Sequence, residues 1–109
     1  MNLTYYENQA CKTAIYPRSQ AIIYPTLGLT GEAGEVAEKV KKMIRDGNLD
    51  PHELHKEIGD CLWYLAALCH DLSEEFGLNL SLSKAAEINI EKLADRAKRN
   101  AIQGNGDNR

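Results

Sequence analysis

The sequence predicts an all-α protein: an antiparallel bundle of about four helices, completed by oligomerisation. Apolar residues recur at the spacing of one helix face through most of the chain, and no segment shows the convincing alternation of a strand. The connections between the helical stretches are short, which favours antiparallel neighbours. Because 109 residues give room for one hydrophobic core, residues 1–109 are predicted to form a single domain.

The first two helices are separated by a segment that contains two prolines. The first helix is predicted over residues 4–15 and is closed by Pro17. Residues 16–25 hold both prolines together with β-branched residues, which predicts an ordered but irregular connection. The second helix is expected to open near Thr26 and to end at Gly47, because glycine readily adopts the left-handed conformation that follows a helix.

The third helix has the clearest start signal in the chain. Asp50 can cap the helix, Pro51 suits its first position, and Glu53 completes a capping box. The helix is expected to continue to about Phe76 and to stop at Gly77.

The fourth helix is predicted to begin at Ser81 or Ser83 and to reach about residue 102, leaving residues 103–109 as a glycine-rich polar tail.

In the third helix, residues 61–69 carry no charge and cover the whole circumference. A helix that is apolar all round must be buried all round. We therefore expect a second copy of the chain to cover it, giving a homodimer or homotetramer.

Composition and charge exclude several classes of protein. The formal net charge of −3 argues against a general nucleic-acid partner. No apolar run approaches the roughly 20 residues that cross a bilayer, and the first residues are too polar for a signal peptide. We therefore expect a cytoplasmic protein without a membrane partner. Residues 32–60 carry eight acids and five bases, whereas residues 92–109 carry five bases and two acids. This asymmetry suits a ligand that combines cations with phosphates, and it equally suits two solvated helix faces, the commoner cause of such a pattern.

Two pairs of acids stand on the second and third helices: Glu32 with Glu35, and Glu57 with Asp60. Residues three apart share a helix face. With about 100° of rotation per residue, Glu32 and Glu35 lie roughly 80° and 140° from the apolar axis of the second helix. Glu57 and Asp60 lie roughly 65° and 125° from the apolar axis of the third helix, on the same side. We expect the two pairs to converge across a groove between antiparallel helices.

The apolar axis of each helix is defined by apolar residues that recur at helical spacing. The axis of the second helix passes through Leu29, Ala33, Val36, Val40 and Ile44. The axis of the third helix passes through Leu54, Ile58, Leu65, Leu68 and Leu72.

Four converging carboxylates would repel one another unless a cation neutralised them. Mg²⁺ takes carboxylates, waters and substrate phosphates as ligands, so it is the expected metal, with Mn²⁺ as a substitute. Glycines beside the acids suggest close helix approach or room for a ligand: Gly28, Gly31, Gly34 and Gly59. Spacing alone leaves an ordinary solvated acidic face as an open alternative. A di-iron bundle is disfavoured because no glutamate is followed three residues later by histidine.

Several sequence motifs resemble the MazG-like all-α NTP pyrophosphatase family, whose pattern is two acids three apart, a spacer, and then Glu-x-x-Asp. Here residues 27–38 read LGLTGEAGEVAE, residues 57–60 read EIGD, and residues 63–65 read WYL. Residues 89–93 (NIEKL) and the final GNGDNR resemble the C-terminal part of single-domain members, including phage-type ones. Asn105 departs from the serine expected there. The resemblance covers the chain from about residue 25 onward.

The resemblance implies a Mg²⁺-dependent hydrolase that cleaves (deoxy)nucleoside triphosphates to monophosphate and pyrophosphate, with a housekeeping role in nucleotide pools. It implies that the catalytic residues are also the metal ligands, namely Glu32, Glu35, Glu57 and Asp60. Glu38 matches a further acid that could be a solvated residue as readily as a ligand.

The same resemblance implies a set of substrate-binding residues, with the basic ones for the phosphates: Lys92, Arg96, Arg99, Tyr64, Asn89 and Arg109. Base recognition is expected from the N-terminal helix and residues 16–25, where the candidates are Tyr5, Tyr6, Gln9, Tyr16 and Tyr24.

Two other functions stay open on the sequence. A helical interaction or antitoxin-type module, with acids that only cover its surface, would show no affinity for Mg²⁺ and would release no pyrophosphate. An enzyme of the same fold could act on another pyrophosphate-linked metabolite, such as phosphoribosyl-ATP. The sequence does not choose among nucleotides.

Overall fold

The computed structural model describes residues 1–107, which form four α-helices and no strand. The helices are α1 (Leu3–Cys11), α2 (Ile23–Asp46), α3 (Pro51–Phe76) and α4 (Leu82–Lys98), and a short 3-10 helix, Arg18–Gln20, lies between α1 and α2. Helices α2 and α3 are joined by a short connection and pack against each other as a helical hairpin. The predicted all-α helical bundle is confirmed.

Helix α3 is the centre of the bundle. Helix α2 packs along it, and α1 contacts both α3 and α4. The core lies where α1, α3 and α4 meet, at Ala10, Ala66 and Leu82. The partly buried residues that surround this core are Leu3, Tyr6, Leu62, Trp63 and Cys69.

A buried carboxylate links the first and last helices. Glu7 of α1 accepts the backbone N–H of Leu82, the first residue of α4, at 2.7 Å. The first N–H groups of a helix have no partner within it, so Glu7 satisfies one of them while fixing α4 against α1.

The start of α3 confirms the predicted cap. The Asp50 side chain accepts the backbone N–H groups of His52 and Glu53 at 2.9 and 3.4 Å, and Pro51 is the first helical residue. The Glu53 carboxylate, predicted to complete a capping box, forms an ion pair with Lys56 at 3.2 Å. Helix α3 ends before Gly77, which has a φ of 63°.

Helices α1 and α2 differ from their predicted bounds. Helix α1 ends at Cys11, four residues before its predicted end. Helix α2 begins at Ile23, so Pro25 is its third residue instead of the end of the connection. A proline is tolerated there because the first N–H groups of a helix make no internal hydrogen bond.

Helix α4 ends at Lys98, four residues before its predicted end. Asn100 has a φ of 57°, and the Ala101 N–H donates to the Arg96 carbonyl at 2.7 Å. Together with the bond from the Asn100 N–H to the Ala97 carbonyl at 3.2 Å, this is a Schellman cap. The cap turns the tail back along the helix.

The apolar axes of α2 and α3 are only partly buried in a single chain. Ala66 and Ala67 are buried, but Ile58 and Leu65 of α3 keep 52% and 38% of their surface exposed. On α2, Val40 and Ile44 keep 37% and 77%. These four apolar residues are therefore exposed in the isolated chain. Across residues 1–107, no helix has the length and apolar character needed to cross a membrane.

Candidate active site

Three of the four predicted metal ligands lie together where α2 packs against α3. Glu32 of α2 and Glu57 and Asp60 of α3 each offer one carboxylate oxygen, and these three atoms lie within 4.8 Å of one another. Glu57 and Asp60 share a face of α3 because they are three residues apart, and Glu32 faces them from α2. The convergence predicted from helix geometry is confirmed for these three acids, which we call the acidic group.

Partial burial and repulsion from neighbouring acids act together on Glu32. The pKa of Glu32 is raised, first by desolvation and then by the charge of Asp60, with further contributions from Glu57 and Glu35. A neighbouring thiol responds to the same field, because the pKa of Cys61 is raised by burial and by the charges of Glu32 and Asp60. Such a site favours any ligand that brings positive charge.

Two other acids of α2 lie outside the acidic group. Glu35 is exposed, one turn beyond Glu32, and is close enough to contribute to the raised pKa of Glu32. Glu38 forms an ion pair with Lys41 at 3.4 Å, which favours its interpretation as a solvated residue. Glu35 stays a predicted ligand.

A pocket of about 360 Å³ opens beside the acidic group. Its lining combines two of the acids with an aromatic wall and a hydroxyl, and the lining residues are Glu32, Asp60, Trp63, Tyr64 and Thr13. A larger cleft of about 450 Å³, lined by Glu7, Ser81 and Lys84 among others, shares no lining residue with it. The smaller cavity is the candidate substrate pocket because it includes the acids.

The aromatic wall is fixed by specific contacts. The Trp63 indole N–H donates to the Thr13 hydroxyl at 2.8 Å, and the Trp63 ring meets Tyr64 edge-on at 5.0 Å. The Tyr64 ring lies directly over Gly28, where an added Cβ would come within 2.1 Å of it. A side chain at position 28 would therefore force the Tyr64 ring to move.

Sequence reasoning included Tyr64 among the binding residues but missed Trp63 and Thr13. Trp63 could have been found, because it follows Asp60 by three residues and so lies on the same helix face. Thr13 could not, because its position depends on a contact with a residue 50 positions away.

The tyrosines proposed for base recognition occupy different environments. Tyr16 is buried, and its hydroxyl donates to Asp71 at 2.7 Å, so its polar atom is already used. Tyr24 stacks on Tyr16 with ring centres 4.5 Å apart and lies 6.4 Å from Tyr64. The pKa of Tyr6 is raised by burial and then by the charge of Asp60. Tyr5 is 52% exposed.

The predicted phosphate contacts on α4 are held by the protein's own tail. Asp107 accepts from Lys92 at 2.6 Å and from Arg96 at 3.0 Å through its carboxylate, and Arg96 also donates to the Asp107 carbonyl. Arg96 is 4% exposed. A carboxylate thus occupies the cationic pair that the sequence assigned to phosphate.

Of the predicted binding residues within residues 1–107, only Tyr64 lines the pocket. Arg99 forms an ion pair with Asp95 at 2.8 Å, and Asn89 is exposed on α4. Gln9 accepts a hydrogen bond from Lys12 at 3.5 Å. Arg109 lies outside the described residues.

The sequence model of the MazG nucleotide pyrophosphohydrolase domain matches residues 23–100. The chain belongs to the MazG family. The matched region contains the whole acidic group together with Tyr64, Lys92 and Arg96, whereas Thr13 and the tail lie outside it.

The chain is also similar to a phage protein of uninformative name. It is 39% identical to the Gene 37 protein of Mycobacterium phage L5, over the full length of both chains. No solved structure matches the chain significantly. The family assignment supports nucleotide pyrophosphohydrolysis as the general activity of this MazG domain.

Proposed function

We propose that the protein is a Mg²⁺-dependent nucleoside triphosphate pyrophosphohydrolase that releases the monophosphate and pyrophosphate. The observation that carries the proposal is the acidic group itself: three carboxylates from two helices within 4.8 Å of one another, beside a pocket with an aromatic wall. The family match to residues 23–100 supports the same reaction class.

The donor set suits magnesium. Glu32, Glu57 and Asp60 offer hard oxygen ligands only, as Mg²⁺ prefers, and Mn²⁺ would serve as a substitute. When bound, Mg²⁺ supplies charge neutralisation and Lewis acidity toward the triphosphate. Glu35, one turn from Glu32, would add a fourth carboxylate if its side chain turned toward the ion.

The chain's residues supply the remaining parts of the reaction. An ionised carboxylate of the acidic group accepts a proton from a water molecule while the oxygen of that water forms a bond to the α-phosphorus. The bond from that phosphorus to the bridging oxygen breaks, and pyrophosphate leaves. Tyr64 and Trp63 present ring surface to the base or sugar.

Lys92 and Arg96 would take the charge of the leaving phosphates. For this they must exchange the Asp107 carboxylate, which now holds both side chains, for phosphate oxygens. The expected biological role is control of cytoplasmic nucleotide pools.

A nucleotide panel with product identification tests the proposal. The protein should convert at least one standard or modified (deoxy)nucleoside triphosphate, giving monophosphate and pyrophosphate in equal amounts, with Mg²⁺ and not with EDTA. Turnover of phosphoribosyl-ATP alone would assign the domain to another pyrophosphate-linked metabolite. If no substrate of the panel reacts, the interaction-module hypothesis replaces the enzyme.

A further inference from the structure

Asp71 of α3 is the most deeply buried ionisable side chain among residues 1–107, and the proposed reaction does not use it. It is 1% exposed. Its carboxylate accepts three hydrogen bonds, from the Tyr16 hydroxyl at 2.7 Å, the Ile22 N–H at 2.9 Å and the Arg18 guanidinium at 3.0 Å. All three donors belong to the connection between α1 and α2, so one carboxylate organises that segment.

The connection contains a strained turn at Ile22. This residue has φ 70° and ψ −50°, and the Ile23 N–H donates to the Ala21 carbonyl at 2.8 Å, which defines a γ-turn of the rare positive-φ kind. A β-branched residue adopts this conformation only where its surroundings fix it. Asp71 fixes it by accepting the Ile22 N–H, and α2, which carries Glu32, begins at the next residue.

A second contact path leads from Asp71 to the substrate pocket. Tyr16, held by Asp71, stacks on Tyr24 at 4.5 Å with 16° between the ring planes. Tyr24 lies against Tyr64 at 6.4 Å, and Tyr64 forms the wall of the pocket above Gly28. The tyrosine stack (Tyr16, Tyr24, Tyr64) therefore joins the buried carboxylate to the surface on which a substrate would bind.

We propose that Asp71 is a positioning residue for nucleotide binding, an inference that rests on the proposed function. By holding Tyr16 and the Ile22 turn, it fixes the aromatic wall of the pocket and the entry of α2. It does not touch the acidic group, so its loss weakens nucleotide binding and leaves the chemical step in place. An interaction that acts equally on bound substrate and transition state changes KM without changing kcat.

Asp71→Asn tests the positioning role. An amide presents one acceptor oxygen and two donor hydrogens, so it cannot satisfy the three donors that Asp71 satisfies. We expect KM to rise about tenfold, with kcat within about twofold of the unaltered protein. Asp46→Asn, at an exposed aspartate paired with Arg45, is the matched control and should change neither constant.

Two further variants probe the same path from other points. Tyr16→Phe keeps the stacked ring and removes one of the three hydrogen bonds, so KM should rise about threefold. Gly28→Ala favours the helix but places a methyl group against the Tyr64 ring, which moves the wall without touching Asp71. It should also raise KM at constant kcat. If Asp71→Asn fails to fold, Tyr16→Phe decides the matter, because Tyr16 is the direct partner of Asp71.

The inference is overturned if folded Asp71→Asn and Tyr16→Phe keep the parental KM, or if they lose kcat while KM stays constant. Trp63 is the single tryptophan and lines the pocket, so its fluorescence measures the binding of a non-hydrolysable nucleoside triphosphate analogue without turnover. Weaker analogue binding by Asp71→Asn supports the inference even if the unaltered protein hydrolyses nothing, in which case the proposed function alone fails. Equal affinity in both proteins, or no binding by the unaltered protein, overturns the inference.

Discussion

At the residue scale, the carboxylates of the acidic group repel one another in the absence of a cation. Glu32, Glu57 and Asp60 lie within 4.8 Å of one another, and the pKa of Glu32 is raised by burial and by its acidic neighbours. Removing one charge should therefore relieve repulsion, whereas an ordinary solvated acidic face would gain nothing from the same change.

Asp60→Asn should leave the metal-free protein as stable as the unaltered protein or more so. Added Mg²⁺ should raise the melting temperature of the unaltered protein by binding the folded state, and should raise that of the variant far less. Thermal melts of both proteins in EDTA and in Mg²⁺ measure this. A metal-independent shift below about 0.5 kcal/mol would instead identify a surface position.

The hydrogen-bonded Asp71 carboxylate should make the protein less stable in acid. Burial alone would raise the pKa of Asp71, but hydrogen bonds from the Ile22 N–H, Tyr16 and Arg18 outweigh it and hold the pKa below its ordinary value. A carboxyl whose pKa is depressed by folding stabilises the protein above its unfolded pKa, about 3.9, and this contribution disappears as pH falls through the folded value. Tyr16 shares the site, and burial followed by its bond to Asp71 raises its pKa to about 12, so it stays neutral throughout.

The free energy of unfolding, from urea titrations between pH 7 and pH 2.5, should therefore fall less steeply with acid in Asp71→Asn than in the unaltered protein. Glu74→Gln, an exposed position on the same helix, serves as the control and should follow the unaltered protein. Identical pH slopes for the unaltered protein and Asp71→Asn would contradict the assignment of these hydrogen bonds to an ionised carboxylate.

The residues that sequence could predict are those whose relations are local. Glu57 and Asp60 share a face through their spacing, and Glu32 joined them because the helix hairpin could be inferred from its short turn. The role of Asp71 depends on donors 49 to 55 positions away. The pairing of Lys92 and Arg96 with Asp107 depends on how the tail folds back, which no periodicity reveals.

At the scale of elements, the helices were predictable where capping residues mark their ends. Asp50, Pro51 and Gly77 bound α3 as expected. Helix α2 was predicted to start too late because Pro25 was interpreted as the end of a connection, although its position in the first turn costs no hydrogen bond. Helix α4 was predicted to be too long because Asn100, which ends it by adopting positive φ, carries a weaker stop signal than glycine.

Asp50→Ala tests the cap of α3. The side chain accepts two backbone N–H groups, and loss of such a cap typically costs about 1 kcal/mol of folding free energy. The melting temperature should fall by about 5 °C. Asp50→Asn keeps the accepting oxygen and should lie close to the unaltered protein, whereas equal losses in both variants would show that the cap is not the cause.

At the scale of the whole molecule, a single chain is too open for its length. The Cα radius of gyration is 16.5 Å, against about 13 Å for a compact domain of this size. The accessible surface is 7841 Å², roughly 1,800 Å² more than the scaling for a folded monomer of this mass. Apolar residues of α2 and α3 stay exposed in this open chain, and they mark the face on which a partner would lie: Val40, Ile44, Ile58 and Leu65.

We propose that this face is covered by a second copy of the chain, in a homodimer or homotetramer. Light scattering should give about 24 or 49 kDa, two or four times the 12.2 kDa chain. Ile44→Glu should shift the mass toward the monomer, because it places a charge in an apolar contact. Ile15→Glu, at a residue 92% exposed on the connection after α1, should leave the mass unchanged. A monomeric unaltered protein at micromolar concentration would refute the proposal.

The most direct measurement is pyrophosphate release by the unaltered protein and by Asp60→Asn, assayed side by side with the preferred nucleotide and Mg²⁺. Asp46→Asn, away from the acidic group at the end of α2, controls for the loss of a carboxylate. The unaltered protein and the control should release pyrophosphate and monophosphate in equal amounts. Asp60→Asn should lose at least about 100-fold in rate. Parental turnover by Asp60→Asn, or release of orthophosphate in place of pyrophosphate, would contradict the assignment of the acidic group as a pyrophosphohydrolase centre.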